Sequence, residues 1–148
     1  MIELKSIDDT NKENVILLEV ADNQKQYISP NKISLQDAME NQEVARTFAI
    51  YADGKLVGFT MFAFDLEYED PNDRYWLWRF MIDKNLQGRG YGSAALKMII
   101  EYFRNNGAGY IKLSTKETNH TALSLYRKAG FRENGEMNGE EIVLQLDL

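Results

Sequence analysis

The sequence predicts a mixed α/β domain in which helices flank a mostly antiparallel central sheet. Three observations carry this reading. Short apolar runs of strand character recur along the chain, two Xaa-Gly hairpin signals separate pairs of them, and a glycine-rich turn leads directly into a long amphipathic helix.

Each element follows in order. Ile2 to Ser6 alternates as a short strand. Glu13 to Val20 carries Val15, Ile16, Leu18 and Val20 and reads as a helix. Ser29-Pro30-Asn31 breaks the chain, and Ser34 is the expected N-cap of a second helix running to about Asn41. Thr47 to Ala52 is a strand. Asp53-Gly54 is a hairpin turn, because a type I′ turn needs φ > 0 at both central positions. The return strand runs from Lys55 to about Asp65. Pro71-Asn72-Asp73 turns the chain into an aromatic-rich strand, Arg74 to Ile82. Gln87 to Gly92 is the glycine-rich loop, and Tyr91 to Asn106 the long helix, with Ala95, Ile99, Tyr102 and Phe103 on one face. Tyr110 to Ser114 is a strand and Thr118 to Ala129 a helix closed by Gly130. Phe131 to Met137 and Glu141 to Leu146 form a last hairpin across Asn138-Gly139.

Composition narrows the function classes. A length of 148 residues predicts one domain, 1–148. The absence of cysteine excludes disulfides, thiolate metal sites and a cysteine nucleophile, and a single histidine, His120, rules out a multi-histidine cage, so no metal is expected. The N-terminus lacks the pattern of a signal peptide, and no apolar stretch approaches the roughly 18 residues of a membrane span, so the expectation is a cytoplasmic protein with no membrane partner. A net charge of −6 argues against nucleic acid and favours a cationic partner.

The chemistry concentrates in Gln87-Gly88-Arg89-Gly90-Tyr91-Gly92-Ser93. A strand, a glycine-rich turn and a helix N-terminus together form an anion site: outward N–H groups and the helix dipole both favour negative charge. Glycine lets backbone approach a pyrophosphate, and Arg89 offers a charge-assisted contact. A Rossmann turn would need a third glycine where Ser93 stands and an acid near the end of the next strand, and Tyr110 to Ser114 has none. A P-loop would need Gly-Lys-Ser/Thr. A plain glycine turn remains the bland alternative.

The Gln-x-x-Gly-x-Gly loop resembles the coenzyme A pyrophosphate loop of the GNAT superfamily of N-acetyltransferases. Asn119-x-x-Ala122-x-x-Leu125-Tyr126-x-x-x-Gly130-Phe131 resembles that family's second signature, at the matching spacing. The resemblance covers essentially the whole chain. It implies acetyl-CoA as cosubstrate, held by backbone groups of Phe80, Met81 and Ile82, by Gln87, Gly88, Arg89, Gly90, Tyr91, Gly92 and Ser93 at the pyrophosphate, and by Asn119. It implies that Tyr126 protonates or hydrogen-bonds the departing thiolate.

Within the family the chain looks most like the bacterial spermine/spermidine (diamine) acetyltransferases, on Gln26-Tyr27-Ile28, Val57-Gly58-Phe59, Trp76 to Asp83, Gly135-Glu136 and Gly139-Glu140. That likeness implies a small-molecule amine acceptor, with Tyr27, Asp65, Glu69, Trp76 and Trp78 as its expected contacts, and a homodimer. Such enzymes often carry a carboxylate two residues before Phe80, where this chain has Trp78. The stretch Asp65 to Asp73 holds Asp65, Glu67, Glu69, Asp70 and Asp73 and no basic residue before Arg74, so Glu67 is the expected base, with Asp65 and Glu69 as alternatives. Trp76 and Trp78 share a strand face and offer cation–π contact to an amine, or simply pack. His120, beside Asn119, is expected in a surface or capping role. Other acceptors, a protein α-amine or an aminoglycoside, and a non-catalytic CoA-binding domain are the competing readings.

Overall fold

The computed structural model describes residues 1–148. Seven strands form one sheet: β1 (Ile2–Ser6), β2 (Ala45–Ala52), β3 (Lys55–Phe64), β4 (Tyr75–Ile82), β5 (Tyr110–Thr115), β6 (Arg132–Asn138) and β7 (Glu141–Asp147). Four helices accompany them: α1 (Lys12–Leu17), α2 (Asn31–Glu40), α3 (Tyr91–Asn105) and α4 (His120–Lys128). The strand order is β1-β2-β3-β4-β5-β7-β6. Every neighbouring pair is antiparallel except β4–β5, which is parallel and shares only the register pair Trp76↔Lys112.

The sheet is covered on both faces. Phe62, Leu77, Ile111, Leu113, Ile142 and Leu144 pack with Leu96, Ile99 and Phe103 of α3 and Leu123 of α4. On the opposite face Ala49, Phe59, Met61 and Met81 pack with Val15 of α1 and Leu35 of α2. Period-2 alternation thus sends neighbouring residues of one strand to different helical layers.

Most expected boundaries agree with the structure to within a residue or two, and the exceptions have local causes. The first helix ends at Leu17 rather than Val20. Leu18 is already extended, and Glu19 leaves to donate its N–H to Asp83 Oδ1 at 3.0 Å and to accept from the N–H of Lys84. Ser34 is not an N-cap. The cap position is Pro30, in extended conformation, and the N–H of Ser34 already bonds back to the Pro30 carbonyl at 3.1 Å. Asn31, Ser34 and Leu35 form the buried face of α2, and Asn31 Nδ2 donates to the Val15 carbonyl at 2.8 Å. Burial of that i, i+3, i+4 face overrides the preference of serine for a helix start. The last hairpin turns on Gly139-Glu140 rather than Asn138-Gly139, since Asn138 still pairs with Glu141 and only Gly139 has positive φ. Asp53 and Gly54 take the φ values of 49° and 81° that their turn requires.

A register shift occurs where β4 passes β3: Met61 pairs with Arg79 and Phe62 with Leu77, leaving Trp78 as the extra residue of a bulge. Trp78 packs against the α1/α2 layer, and Arg79 ion-pairs with Asp37 of α2, so consecutive side chains leave the same face. Further along, β3 approaches β4 so closely at Gly58 that an added Cβ would lie 2.3 Å from the Met81 carbonyl oxygen and 2.9 Å from Ile82 Cδ1. Gly58→Ala is therefore expected to cost about 1–3 kcal/mol as overpacking. Urea unfolding checks it: a lower midpoint at unchanged slope is expected, and an unchanged midpoint would show that the strands can part without cost.

Candidate active site

Because β4 and β5 meet only at Trp76↔Lys112, they diverge beyond it, and a cleft of about 940 Å³ opens between them. Past the bulge, the edge of β4 that faces β5 has no strand partner. Phe80, Met81 and Ile82 line the cleft there; Met81 turns its backbone to β3, and the Ile82 carbonyl accepts from Gln87, so the free backbone groups facing the gap are those of Phe80 and the N–H of Ile82.

The glycine-rich turn closes one end. Gly88 and Gly90 have φ of 76° and 85°, and a Cβ on either would meet nothing within 4 Å. Their requirement is backbone conformation, and the space above them is open. None of the N–H groups from Gln87 to Ser93 finds an acceptor within the chain. The first bond of this stretch is Ala94 N–H to the Gly90 carbonyl. With the dipole of the fifteen-residue α3 behind them, these N–H groups form a site for an anionic phosphate. Gln87 also braces the turn: its Nε2 donates to the Ile82 carbonyl at 3.0 Å and to Gln24 Oε1 at 2.9 Å. Gln87, Gly88, Gly90, Tyr91, Gly92 and Ser93 all line the cleft, whereas Arg89 is exposed beside it.

α4 supplies the other wall. Asn119 stands at its N-cap position, and its Nδ2 donates to Thr115 Oγ1 at 3.1 Å. Ala122 and Tyr126 follow at helical spacing, so all three face the cleft. The ring of Tyr126 packs edge-on against Phe131, centroids 5.7 Å apart. Burial pushes the Tyr126 phenol above its ordinary pKa. A raised pKa favours the protonated form, so the phenol keeps its proton through neutral and mildly alkaline pH.

Tyr27, Asp65, Tyr68, Asp73, Trp76, Trp78, Arg79, Ser114, Asn138 and Glu141 also line the cleft. Tyr27 reaches across to donate its hydroxyl to Thr118 Oγ1 at 2.9 Å. Glu67 and Glu69 are exposed on the loop after β3 and do not line the cleft, so of the three expected carboxylates only Asp65 faces it. His120 is exposed outside the cleft. Ser114, Asn138 and Glu141 are the residues that sequence reasoning missed. Glu141 merely opens the last strand, and nothing local marks it; it reaches the cleft because β7 inserts between β5 and β6.

At the point where the strands meet, Lys112 is buried to 1% exposure and its ammonium lies 3.1 Å from Asp73 and 2.9 Å from Glu136. Nζ also stands 5.8 Å from the Trp76 ring centroid. No group of three or more His, Asp or Glu side chains is arranged to hold a metal, and no helix is long and apolar enough to cross a membrane.

Comparison with known proteins gives consistent findings. Residues 13–131 match the profile described as the acetyltransferase (GNAT) family. The chain is 38% identical to the probable spermine N(1)-acetyltransferase of Bacillus subtilis subsp. natto (strain BEST195) and 37% identical to the spermine/spermidine N(1)-acetyltransferase of Bacillus subtilis (strain 168), each over 97% of both chains. Among solved structures, an aminoglycoside acetyltransferase in complex with coenzyme A superposes with a TM-score of 0.78 at 14% identity, over 99% of this chain and 95% of that one. This last likeness is one of fold.

The buried Lys112 yields a stability prediction. Removing its partners strands a charge, whereas removing the charge itself does not. Asp73→Asn with Glu136→Gln should destabilise the fold clearly more than Lys112→Met does, measured by denaturant midpoints. Equal losses would mean that the ammonium is solvated without its partners.

Proposed function

Since the chain belongs to the acetyltransferase (GNAT) family, we propose that it transfers the acetyl group of acetyl-CoA to a primary amine of a polyamine such as spermidine or spermine. Acetyl-CoA-dependent N-acetyl transfer is the activity of the family, with acetyl-CoA as cosubstrate and no metal in the proposed reaction. The observation that carries the proposal is one cleft with an anion-binding end and an acidic, aromatic end, joined where β4 and β5 part.

The pyrophosphate of acetyl-CoA would lie against the free N–H groups of Gln87 to Ser93. The pantetheine arm would pair with the unpartnered edge of β4 at Phe80 to Ile82, beside Asn119. The thioester then falls near Tyr126. The polyamine would enter from the other mouth, where Trp76 and Trp78 offer ring faces to ammonium groups and Asp65 and Asp73 offer charge. Likeness to two spermine acetyltransferases over nearly the whole chain supports this choice of acceptor.

Direct attack needs a neutral amine, and an amine of lysine-like pKa, about 10.4, costs roughly 4–5 kcal/mol to deprotonate near pH 7. Only the reacting nitrogen has to lose its proton; the remaining ammonium groups stay charged and hold the polyamine in the acidic mouth. As the tetrahedral adduct collapses, the C–S bond breaks and the Tyr126 hydroxyl protonates the leaving sulfur. Desolvation raises the phenol pKa, so the hydroxyl keeps its proton while the amine becomes increasingly neutral with rising pH, and the proton leaves only as negative charge develops on the sulfur.

Thiol release from acetyl-CoA with a panel of amines tests the proposal. Spermidine and spermine should be consumed, and Tyr126→Phe should lower kcat by about 10²–10⁴-fold while the calorimetric affinity for CoA stays the same. Wild-type kcat should not decline from neutral into mildly alkaline pH, because desolvation holds the Tyr126 phenol above its ordinary pKa. Turnover of an aminoglycoside or peptide amine without spermidine turnover would contradict the acceptor. A folded Tyr126→Phe protein with wild-type kcat, chemistry being rate-limiting, would contradict the proton donor.

A further inference from the structure

We propose that Glu141 is the group that takes the proton from the attacking ammonium. The inference deepens the acyl-transfer reading above and rests on it. The starting point is the parallel pair Trp76↔Lys112. Counting equally along both strands from it sets Ser114 level with Trp78, just where the gap opens. Leu113 packs into the α3/α4 layer, so Ser114 projects to the other, acceptor-side face. On β7, Ile142 and Leu144 enter that same α3/α4 layer, and Glu141 therefore shares the face of Ser114. The two meet: Ser114 Oγ donates to Glu141 Oε1 at 2.8 Å. Asn138 Nδ2 donates in turn to Ser114 Oγ at 3.1 Å.

This chain of donors fixes a direction. The ionised carboxylate can only accept, so the serine hydrogen points at it, and the serine oxygen accepts from the Asn138 N–H. One carboxylate oxygen is held, and the other is free to accept from a ligand in the cleft. The other cleft carboxylates are differently placed. Asp73 is 3.1 Å from the buried Lys112 ammonium and is committed to it. Asp65 follows Phe64, which pairs with Tyr75 at the start of β4, before the strands part. Glu141 alone among them stands beside the open gap, on the side away from Tyr126 and α4. The charged groups around it on this face are Arg79 of β4, which senses its charge across the gap and is itself paired with Asp37, and the mutually paired Lys112 of β5 and Glu136 of β6.

The step balances without any further reactant. An ammonium N–H of the acceptor passes its proton to Glu141, which releases it to solvent. The neutral nitrogen attacks the thioester carbon, forming the C–N bond. The adduct nitrogen loses its second proton to the restored carboxylate, and the C–S bond breaks as sulfur takes a proton from Tyr126. Glu141 passes this second proton to solvent too, the Tyr126 phenolate takes one back, and the net products are the acetamide, CoA thiol and one proton.

The experiment compares wild type with Glu141→Gln and Ser114→Ala, using whichever primary amine the wild type consumes. Glu141→Gln should lower kcat/KM at pH 7 by about 10²-fold or more, with CoA affinity unchanged by calorimetry. The deficit should shrink as pH rises towards the amine pKa, because solvent then supplies the neutral amine. Ser114→Ala, which only frees the carboxylate, should show a smaller loss of the same pH form, and it carries the test if Glu141→Gln does not fold. A loss confined to KM, a deficit independent of pH, or activity within about threefold of wild type would each overturn the assignment. Consumption of some amine other than spermidine would overturn the proposed acceptor and leave this comparison to be run on that amine.

Discussion

Two parallel strands that meet at one residue pair determine the shape of this molecule. At Trp76↔Lys112 the sheet is continuous; a few residues on, it is open. Both sides of the opening hold because each strand is secured elsewhere. β4 is bonded along its other edge to β3, and β5 to β7. A buried ammonium held by Asp73 and Glu136 sits at the junction, under the ring of Trp76. A parallel connection also needs a crossover, and here α3 provides it. The strand edge left free by the divergence and the helix N-terminus that faces it are thus consequences of the same topology.

The electrostatics of the cleft follow from that arrangement. At one end, fixed N–H dipoles from Gln87 to Ser93 and the start of α3 attract an anion without any charged side chain, Arg89 being turned to solvent. Carboxylates and indole rings, those of Asp65, Asp73, Glu141, Trp76 and Trp78, also line the cleft. In the proposed reaction a polyanionic cofactor and a polycationic substrate would each meet groups of the opposite sign in the same cleft. Tyr126, half-buried on α4, has its phenol pKa raised by desolvation, and Ser114 and Asn138 form a hydrogen-bond relay to Glu141 on the other face of the sheet.

Local sequence signals were readable where one short stretch carries the whole instruction. Asp53-Gly54, the glycine turn before Tyr91, and the Asn119, Ala122, Tyr126 spacing each depend on neighbours within a few residues, and each takes the expected form. The signals failed where a distant contact decides. Ser34 looks like a cap until Asn31 is tied to the Val15 carbonyl. The bulge at Trp78 depends on how β4 aligns with β3, which no alternation in β4 reveals. Glu67 stood out because it lies in an acidic run, yet it is exposed on the loop. Glu141 lacks any such context and reaches the cleft through the order of strands at the far side of the sheet.

Amide hydrogen exchange with and without CoA tests the central claim most directly, since the free backbone groups of the cleft are the predicted contacts. CoA should protect the N–H groups of Gln87 to Ser93 and those of Phe80 and Ile82, with little change in β1, β2 or α2. Protection confined to other segments, with the glycine turn exchanging as fast as in the free protein, would contradict the account.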